Sequence, residues 1–332
     1  MIEVEQLSKV YGSTTAIKDL SFRVEPGEIL GLLGPNGAGK TTTMRILAGY
    51  LPATTGTAQV AGYEVHTNPM AVRQRIGYLP ETPPLYPDMT VEGFLNFVSR
   101  IKGVAAGDRA RQVNSALERC SLQEKRQVLI RKLSKGFRQR VGIAQALVHD
   151  PPVIILDEPT VGLDPRQIIE VRNLIKSLAG SHTVILSTHI LPEVSMTCNR
   201  VAIINRGHVV TTGSLADLMH QLTGGISYEL EVAGDTTEVQ LSLQSLSSVR
   251  QIECSLLPGG ERLQCRVVPD LGVEMGQEIA ATLVKAGISL YEMRRVRASL
   301  EDVFLELTTE ERTLAAADQP DFQSSSQAED VA

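Results

Sequence analysis

The sequence predicts an α/β fold, with a mixed sheet core and an all-helical subdomain, followed by a small α+β domain. A strand at 28–33 runs into a glycine-rich loop and then into a helix at 41–49. Near 223–225 the pattern changes character, and a second domain is expected to begin there. Short, almost continuous apolar runs, typical of central parallel strands covered on both faces, lie at 153–156, 184–186 and 201–204.

A chain of 332 residues exceeds one typical domain, so we expect two. The first is expected at 1–222, with its helical subdomain at about 85–150, the second at 226–308, and a disordered acidic tail at 312–332. Six acidic residues and one arginine lie in 310–332, so five of the six net negative charges belong to the tail. The folded part is nearly neutral and supplies no broad positive field, so no nucleic-acid partner is expected.

The cysteines form no CxxC pair and no spacing typical of metal ligands: Cys120, Cys198, Cys254 and Cys265. We expect them to be buried thiols in a reducing compartment. No apolar run approaches the roughly 20 residues of a membrane span, and the N-terminus lacks an apolar signal core. These observations predict a cytosolic location.

Alternating segments separated by glycine and proline turns predict the strands of the first half. They lie at 2–10, 17–24, 28–33, 57–65 and 76–79. From 90 to 148 the pattern is mostly helical, and Val91, Phe94, Leu95 and Val98 share one face of the first helix. A helix at 166–178 separates two of the apolar strands that follow.

The second domain is predicted to have the ferredoxin-like order strand, helix, strand, strand, helix, strand. Its segments lie at 228–232, 238–246, 250–257, 262–268, 273–286 and 290–296, with a last helix from Leu300.

A phosphate-binding loop is predicted where the chain fits GxxxxGK[ST] between a strand and a helix: Gly34, Pro35, Asn36, Gly37, Ala38, Gly39, Lys40, Thr41 and Thr42. Glycine lets backbone N–H groups converge on an anion, and the helix N-terminus adds positive potential. Lys40 is expected to neutralise the β and γ phosphates of ATP, and Thr41 to hold Mg²⁺ through its hydroxyl. The bare pattern also arises by chance in glycine-rich turns, but the flanking strand and helix disfavour that interpretation.

The segment 153–158 is an apolar strand that ends in two carboxylates, the Walker B arrangement. Alternation along a strand sends Asp157 and Glu158 to different sides, so the two can take different tasks. We assign Asp157 to Mg²⁺ and Glu158 to polarising the attacking water. The alternative, a solvated strand end before the turn at Pro159, loses weight because a phosphate-binding loop lies upstream.

The segment 133–140 resembles the LSGGQ signature of ABC (ATP-binding cassette) proteins, and with the two motifs above it identifies the chain as a member of that family. Ser134 and the Gly136 N–H lie where a helix would begin, which makes a second anion site. In the family this site binds the γ-phosphate of the opposite subunit's ATP. Lys135 replaces the usual glycine and Phe137 the usual glutamine, as in the ABC-2 export branch. Taken alone, the segment would be a capped basic helix.

Four further residues match the family pattern in order. Tyr11 resembles the aromatic residue that stacks on adenine, and the alternative is a tyrosine at a strand edge. Asp164 resembles the residue at the dimer seam, and the alternative is a helix N-cap. His189 resembles the histidine that contacts the γ-phosphate, and the alternative is a structural histidine. Glu81 stands where the family has a glutamine that touches Mg²⁺, and the alternative is a solvent-facing turn residue.

The resemblance implies an ATPase that uses ATP and Mg²⁺, pairs with a second ABC cassette (a copy of itself or a paralogue) and drives a separate transmembrane permease. It also implies an exporter subunit, peripheral on the cytoplasmic face of a membrane, and the similarity continues at 298–307. In the resembling transporters, the region that begins at 83–88 docks the membrane subunit. Two other classes stay open, a soluble non-transport ABC ATPase and a non-hydrolysing ATP-dependent regulator.

Overall fold

A computed structural model gives the structure of the protein, and it describes residues 2–214, 216–218, 227–257, 262–270 and 273–296. The chain divides into two units between Leu218 and Met219, a few residues before the boundary expected at 222–226. The expected tail at 312–332, the helix from Leu300 and the segment 298–307 lie outside the described residues.

The first unit combines strands and helices in alternation. Its strands are β1 (Ile2–Tyr11), β2 (Thr14–Val24), β3 (Ile29–Leu33), β4 (Thr55–Val60), β5 (Tyr63–Glu64), β6 (Ile76–Leu79), β7 (Val153–Asp157), β8 (Thr183–Thr188), β9 (Arg200–Asn205) and β10 (His208–Ser214). Its helices are α1 (Lys40–Leu47), α2 (Pro69–Arg75), α3 (Val91–Ile101), α4 (Arg109–Arg119), α5 (Lys135–Leu147), α6 (Pro165–Lys176) and α7 (Leu191–Thr197), with short 3-10 turns at Gln123–Lys125 and Ile130–Lys132.

The larger sheet has the strand order β10-β9-β3-β8-β7-β6, and its pairings are parallel except for that of β10 with β9. β3, β7 and β8 are buried along their whole length, as their apolar runs predict. In such a sheet, ligands bind beyond the carboxyl ends of the strands. The residues that follow β3, β6, β7 and β8 meet at this edge.

A smaller antiparallel sheet has the order β2-β1-β4-β5. The prediction of one strand over 57–65 is wrong, because a turn at Ala61 and Gly62 separates β4 from β5. Both turn residues have positive φ, 51° and 82°, which suits a two-residue hairpin connection. The sequence also did not predict α2 and α7, since seven residues are too few to show helical periodicity.

The helices α3, α4 and α5 lie where the helical subdomain is predicted. The hydroxyl of Thr90 accepts a hydrogen bond from the Gly93 N–H at 3.1 Å and so caps α3. The predicted apolar face of α3 is buried in the core, with Phe94 only 2% exposed.

The second unit contains β11 (Ser227–Ala233), α8 (Thr236–Gln244), β12 (Val249–Leu256), β13 (Leu263–Pro269), α9 (Gly276–Lys285) and β14 (Ser289–Val296). Its antiparallel sheet has the order β12-β13-β11-β14, which is the ferredoxin-like arrangement expected from the sequence. Tyr228, Leu230 and Val232 on β11 pack with Ile279 and Leu283 of α9 in a core of this unit.

The prediction of four free thiols is wrong for two of the cysteines. Cys254 on β12 lies directly opposite Cys265 on β13, and the two form a disulfide. The sequence does not reveal this pair, because it depends on the register between the two strands. Cys120 and Cys198 are free, and burial raises the pKa of each thiol to about 12.

Candidate nucleotide-binding site

The glycine-rich loop follows the buried strand β3 and approaches neighbouring backbone closely. A Cβ atom at Gly34 would lie 2.2 Å from the carbonyl oxygen of Ile204. Gly39 has a φ of 103°, and a Cβ there would lie 2.6 Å from Cγ2 of Ile17. Only glycine fits at these two positions, which gives a packing reason for the spacing of the motif.

Lys40 begins α1, and its side chain is only 6% exposed. Its ammonium group donates hydrogen bonds to the carbonyl oxygens of Gly34 at 2.8 Å and Pro35 at 3.2 Å, and it lies 3.4 Å from Oε1 of Glu158. The loop therefore holds the positive charge that a phosphate would meet.

Asp157, the last residue of β7, is fully buried. Its Oδ1 accepts hydrogen bonds from the hydroxyl of Ser187 at 2.5 Å and from that of Thr41 at 3.3 Å. Its Oδ2 is buried without a hydrogen-bond partner. Burial raises the pKa of Asp157 above its usual value. An orphaned carboxylate oxygen beside a threonine hydroxyl suits a hard cation such as Mg²⁺.

No group of three or more His, Cys, Asp or Glu side chains forms a metal cage in the described residues. Mg²⁺ is commonly held by one or two protein oxygens, with water and phosphate oxygens completing its shell. Thr41 and Asp157 therefore fit this ion better than a metal that needs a full set of protein ligands.

Glu158 has a φ of 48°, a left-handed conformation that is uncommon for a residue with a side chain. Its N–H donates to the hydroxyl of Ser187 at 3.0 Å and lies 3.2 Å from the Ser187 carbonyl oxygen. Both carboxylate oxygens lie 3.1 Å from Nδ1 of His189. The strained backbone and the histidine together fix the direction of this carboxylate.

A cleft of about 450 Å³ opens over the loop. Besides loop residues, it is lined by Ala16, Glu81, Glu158, Val161 and His189. Glu81, Glu158 and His189, assigned from three separate segments, therefore come together. Tyr11 is not among the lining residues; it is 45% exposed at the end of β1, with the Lys9 ammonium 5.2 Å from its ring centroid.

The signature residues lie outside this cleft. Ser134 caps α5 by accepting from the Phe137 N–H at 3.4 Å. A Cβ on Gly136 would lie 2.4 Å from the side-chain amide carbon of Gln167, and a Cβ on Gly162 would lie 1.9 Å from Nζ of Lys135. The signature therefore packs against the first turn of α6 and the loop that precedes it.

Asp164 caps α6, because its Oδ1 accepts a hydrogen bond from the Gln167 N–H at 2.9 Å. This is the local role given above as the alternative for Asp164. The sequence reasoning missed Ser187 and Gln167 as partners of Asp157 and Gly136. The position of Ser187 at the end of an apolar strand could have indicated its contact with Asp157. No pattern in the sequence around Gln167 indicates its contact with Gly136.

Comparison with known proteins decides the family. Residues 17–161 match the ABC transporter family. The linearmycin resistance ATP-binding protein of Bacillus subtilis is 31% identical, over 93% of this chain and 98% of the relative. This chain belongs to the ABC transporter family. The Nod factor export ATP-binding protein I of Paraburkholderia xenovorans is 36% identical, over 93% of this chain and 97% of the relative.

Solved ABC structures resemble the chain over about two thirds of its length. A structure described as the ATP-binding subunit of an ABC transporter superposes with a TM-score of 0.62 at 32% identity, over 67% of this chain and 92% of the other. The dimeric structure of MJ0796, a bacterial ABC transporter cassette, gives a TM-score of 0.60 at 25% identity, over 65% of this chain and 99% of the other.

This chain is accordingly the ATP-binding subunit of an ABC transporter and an ATPase. The predicted cassette fold is confirmed. None of the helices in the described ranges has the length and apolar character needed to span a bilayer.

Proposed function

We propose that this ABC protein powers export through a separate transmembrane permease, by ATP-driven pairing of two cassettes on the cytoplasmic face of a membrane. The observation that carries the proposal is the position of the signature. Ser134 and Lys135 are exposed, and the cleft of the same chain is lined by loop residues, Glu158 and His189. One chain thus offers two half-sites, and a second cassette, a copy or a paralogue, completes each.

In the assembled site, Tyr11 stacks on adenine and the loop residues hold the phosphates. Ser134, Lys135, Gly136 and Phe137 act on the nucleotide of the opposite subunit, and Asp164 lies at the seam. The dimeric MJ0796 structure, which this chain resembles, supports the pairing.

Within one half-site, Lys40 neutralises phosphate charge while Glu158 orients the attacking water and accepts its proton. His189 holds the Glu158 carboxylate at 3.1 Å and faces the γ-phosphate. Thr41, Asp157 and Glu81 would hold Mg²⁺, which would supply neutralisation of the developing phosphate charge. The unpartnered Oδ2 of Asp157 supports this placement.

Export is supported by the relatives, two of which are named for linearmycin resistance and Nod factor export. A permease is supported by a further structural relative, cbiO1 of Clostridium perfringens, described as part of a transporter complex. A contact surface for it would include Tyr86 and Phe97, which are 53% and 36% exposed and pack edge to face at 5.4 Å.

Substitution of Glu158 tests the pairing. Glu158→Gln should leave ATP bound but unhydrolysed, because the side chain no longer accepts the proton of water. We expect an ATP-dependent dimer on size-exclusion chromatography and a loss of turnover of at least about a hundredfold. The control, Glu118→Gln in α4, alters an exposed glutamate and should behave like the wild type. An ATP-bound monomer of Glu158→Gln would contradict the proposal.

A further inference from the structure

One face of α5 runs along the segment that carries Glu81. Gly142, Gln145, Ala146 and, just past the helix end, His149 are spaced by three, four and seven residues, so they share one side of the helix. All four contact residues between 76 and 83.

Two of these contacts are hydrogen bonds to alternate carbonyl groups of β6. Nε2 of Gln145 donates to the Tyr78 oxygen at 2.7 Å, and Nε2 of His149 lies 3.0 Å from the Ile76 oxygen. Burial, then the charge of Lys102, lowers the pKa of His149 to about 4, so at neutral pH the ring is uncharged and can still donate one N–H. Alternate carbonyls face the same side of a strand, so Gln145 and His149 both bind one side of β6.

The other two contacts are close packing. A Cβ on Gly77 would lie 2.1 Å from the carbonyl oxygen of Ala146, so the backbones of strand and helix touch. A Cβ on Gly142 would lie 2.7 Å from Cδ1 of Leu79 and 3.0 Å from Cβ of Pro83. Leu79 and Pro83 bracket Glu81, and both rest on α5.

β6 is the end strand of its sheet, and β7 is its neighbour in the sheet order. The chain after Leu79 leaves the sheet before it reaches Glu81. On this side the contacts with α5, together with a hydrogen bond from Nζ of Lys102 to the Ile76 oxygen at 3.0 Å, fix the position of the segment. The glycines at 77 and 142 make the fit with α5 close.

We propose that Gln145 is a positioning residue for Glu81: its hydrogen bond to the Tyr78 oxygen at 2.7 Å holds the segment that brings Glu81 to the nucleotide cleft. This inference rests on the proposed role of Glu81 as a Mg²⁺ contact.

The first test is hydrogen exchange in the nucleotide-free protein. Gln145→Glu keeps the shape of the side chain but replaces the donor by an acceptor facing the Tyr78 oxygen. Within 77–82 we expect the amides of all residues except Pro80 to exchange about tenfold faster, because a carbonyl of the end strand loses its partner. Gln145→Lys restores a donor and should restore slow exchange. The matched control Gln112→Glu, in α4, should change nothing in this segment.

The second test is a double-mutant cycle with Glu81→Ala, read as turnover and as ATP affinity. If Gln145 acts through Glu81, then Gln145→Glu in the wild-type background lowers kcat about tenfold with little change in ATP affinity. In the Glu81→Ala background the same substitution lowers kcat almost no further. Unchanged exchange in 77–82, or additive losses in the cycle, would overturn the inference.

If Gln145→Glu does not fold, Gly142→Ala serves instead, because the added methyl group presses on Leu79 and Pro83 directly. It must raise exchange in 77–82 for the inference to stand. Failure of the proposed function is observed separately, as an ATP-bound monomer of Glu158→Gln. The exchange measurement is independent of that result, because it needs neither nucleotide nor a second chain.

Discussion

At the scale of single residues, Glu81 brings a carboxylate to a cleft already lined by Glu158. Even with the screening of bulk water, a carboxylate and a phosphate charge about 4 Å apart repel each other by about 1 kcal/mol. We expect Glu81→Gln to tighten ATP binding in EDTA about fivefold, measured by calorimetry. With Mg²⁺ the gain should shrink, because the cation offsets the repulsion.

The control for this prediction is Glu124→Gln, which alters an exposed glutamate in the turn Gln123–Lys125. Its affinity for ATP should equal that of the wild type. Weaker binding of ATP by Glu81→Gln in EDTA would show that the carboxylate does not oppose the phosphates.

Motif spacing indicates Lys40, Asp157 and Glu158 as candidate site residues, because each stands next to a glycine-rich turn or an apolar strand. The side chains that contact these residues could not be predicted from spacing. Ser187 joins Asp157 only through the register of β7 with β8, in which these two residues lie side by side. For Asp164 the reverse holds: the family pattern indicates a residue at the dimer seam, whereas the structure shows a local role as the N-cap of α6.

At the scale of elements, a half-buried lysine links the end of α3 to the end of α2. Nζ of Lys102 donates to the carbonyl oxygens of Arg73 at 2.7 Å and Ile76 at 3.0 Å. Burial, then the charge of Arg73, lowers the pKa of Lys102 to about 8 from 10.5. Between pH 8 and pH 10.5, Lys102 binds more protons in the unfolded state than in the folded state. This lysine therefore makes the free energy of unfolding rise with pH in that range.

We therefore expect the free energy of unfolding of the wild type, relative to Lys102→Met, to rise by about 2 kcal/mol from pH 7.5 to pH 10. Urea unfolding at both pH values measures it. Lys132→Met, at an exposed lysine, is the control and should track the wild type. Parallel curves for wild type and Lys102→Met would contradict the shift.

Elements with a strong signal were predictable, namely the apolar strands β7, β8 and β9 and the amphipathic α3. Those that depend on tertiary contacts were not. β10 joins its sheet by pairing antiparallel to β9. Its residues are half-buried throughout, so the sequence contains no apolar run that would predict a strand there. The hairpin of β4 and β5 depends on backbone conformations at Ala61 and Gly62 that an alternating pattern does not specify.

At the scale of the whole molecule, each unit has apolar cores of its own, and the disulfide lies in the second unit. A disulfide restricts the unfolded chain by closing a loop. For a sequence separation of 11 residues, it is expected to raise the free energy of unfolding by about 3 kcal/mol. The double variant Cys254→Ser, Cys265→Ser should lose about this much stability in the second unit only.

Calorimetric or urea unfolding with and without ATP separates the two units, because ATP stabilises only the unit that binds it. We expect ATP to raise the first unit's transition in both proteins, and the cysteine changes to lower the other transition. Turnover of ATP at 25 °C should be the same in both. A cysteine variant with lower ATP affinity would contradict this division of stability.

The left-handed backbone at Glu158 has a consequence for the evolution and engineering of the chain. A non-glycine residue pays about 1 kcal/mol for this conformation, which glycine adopts without cost. On backbone conformation alone, glycine, which carries no carboxylate, would be the more favourable residue at this position. The chain therefore accepts a backbone cost at the position whose carboxylate the proposed hydrolysis needs.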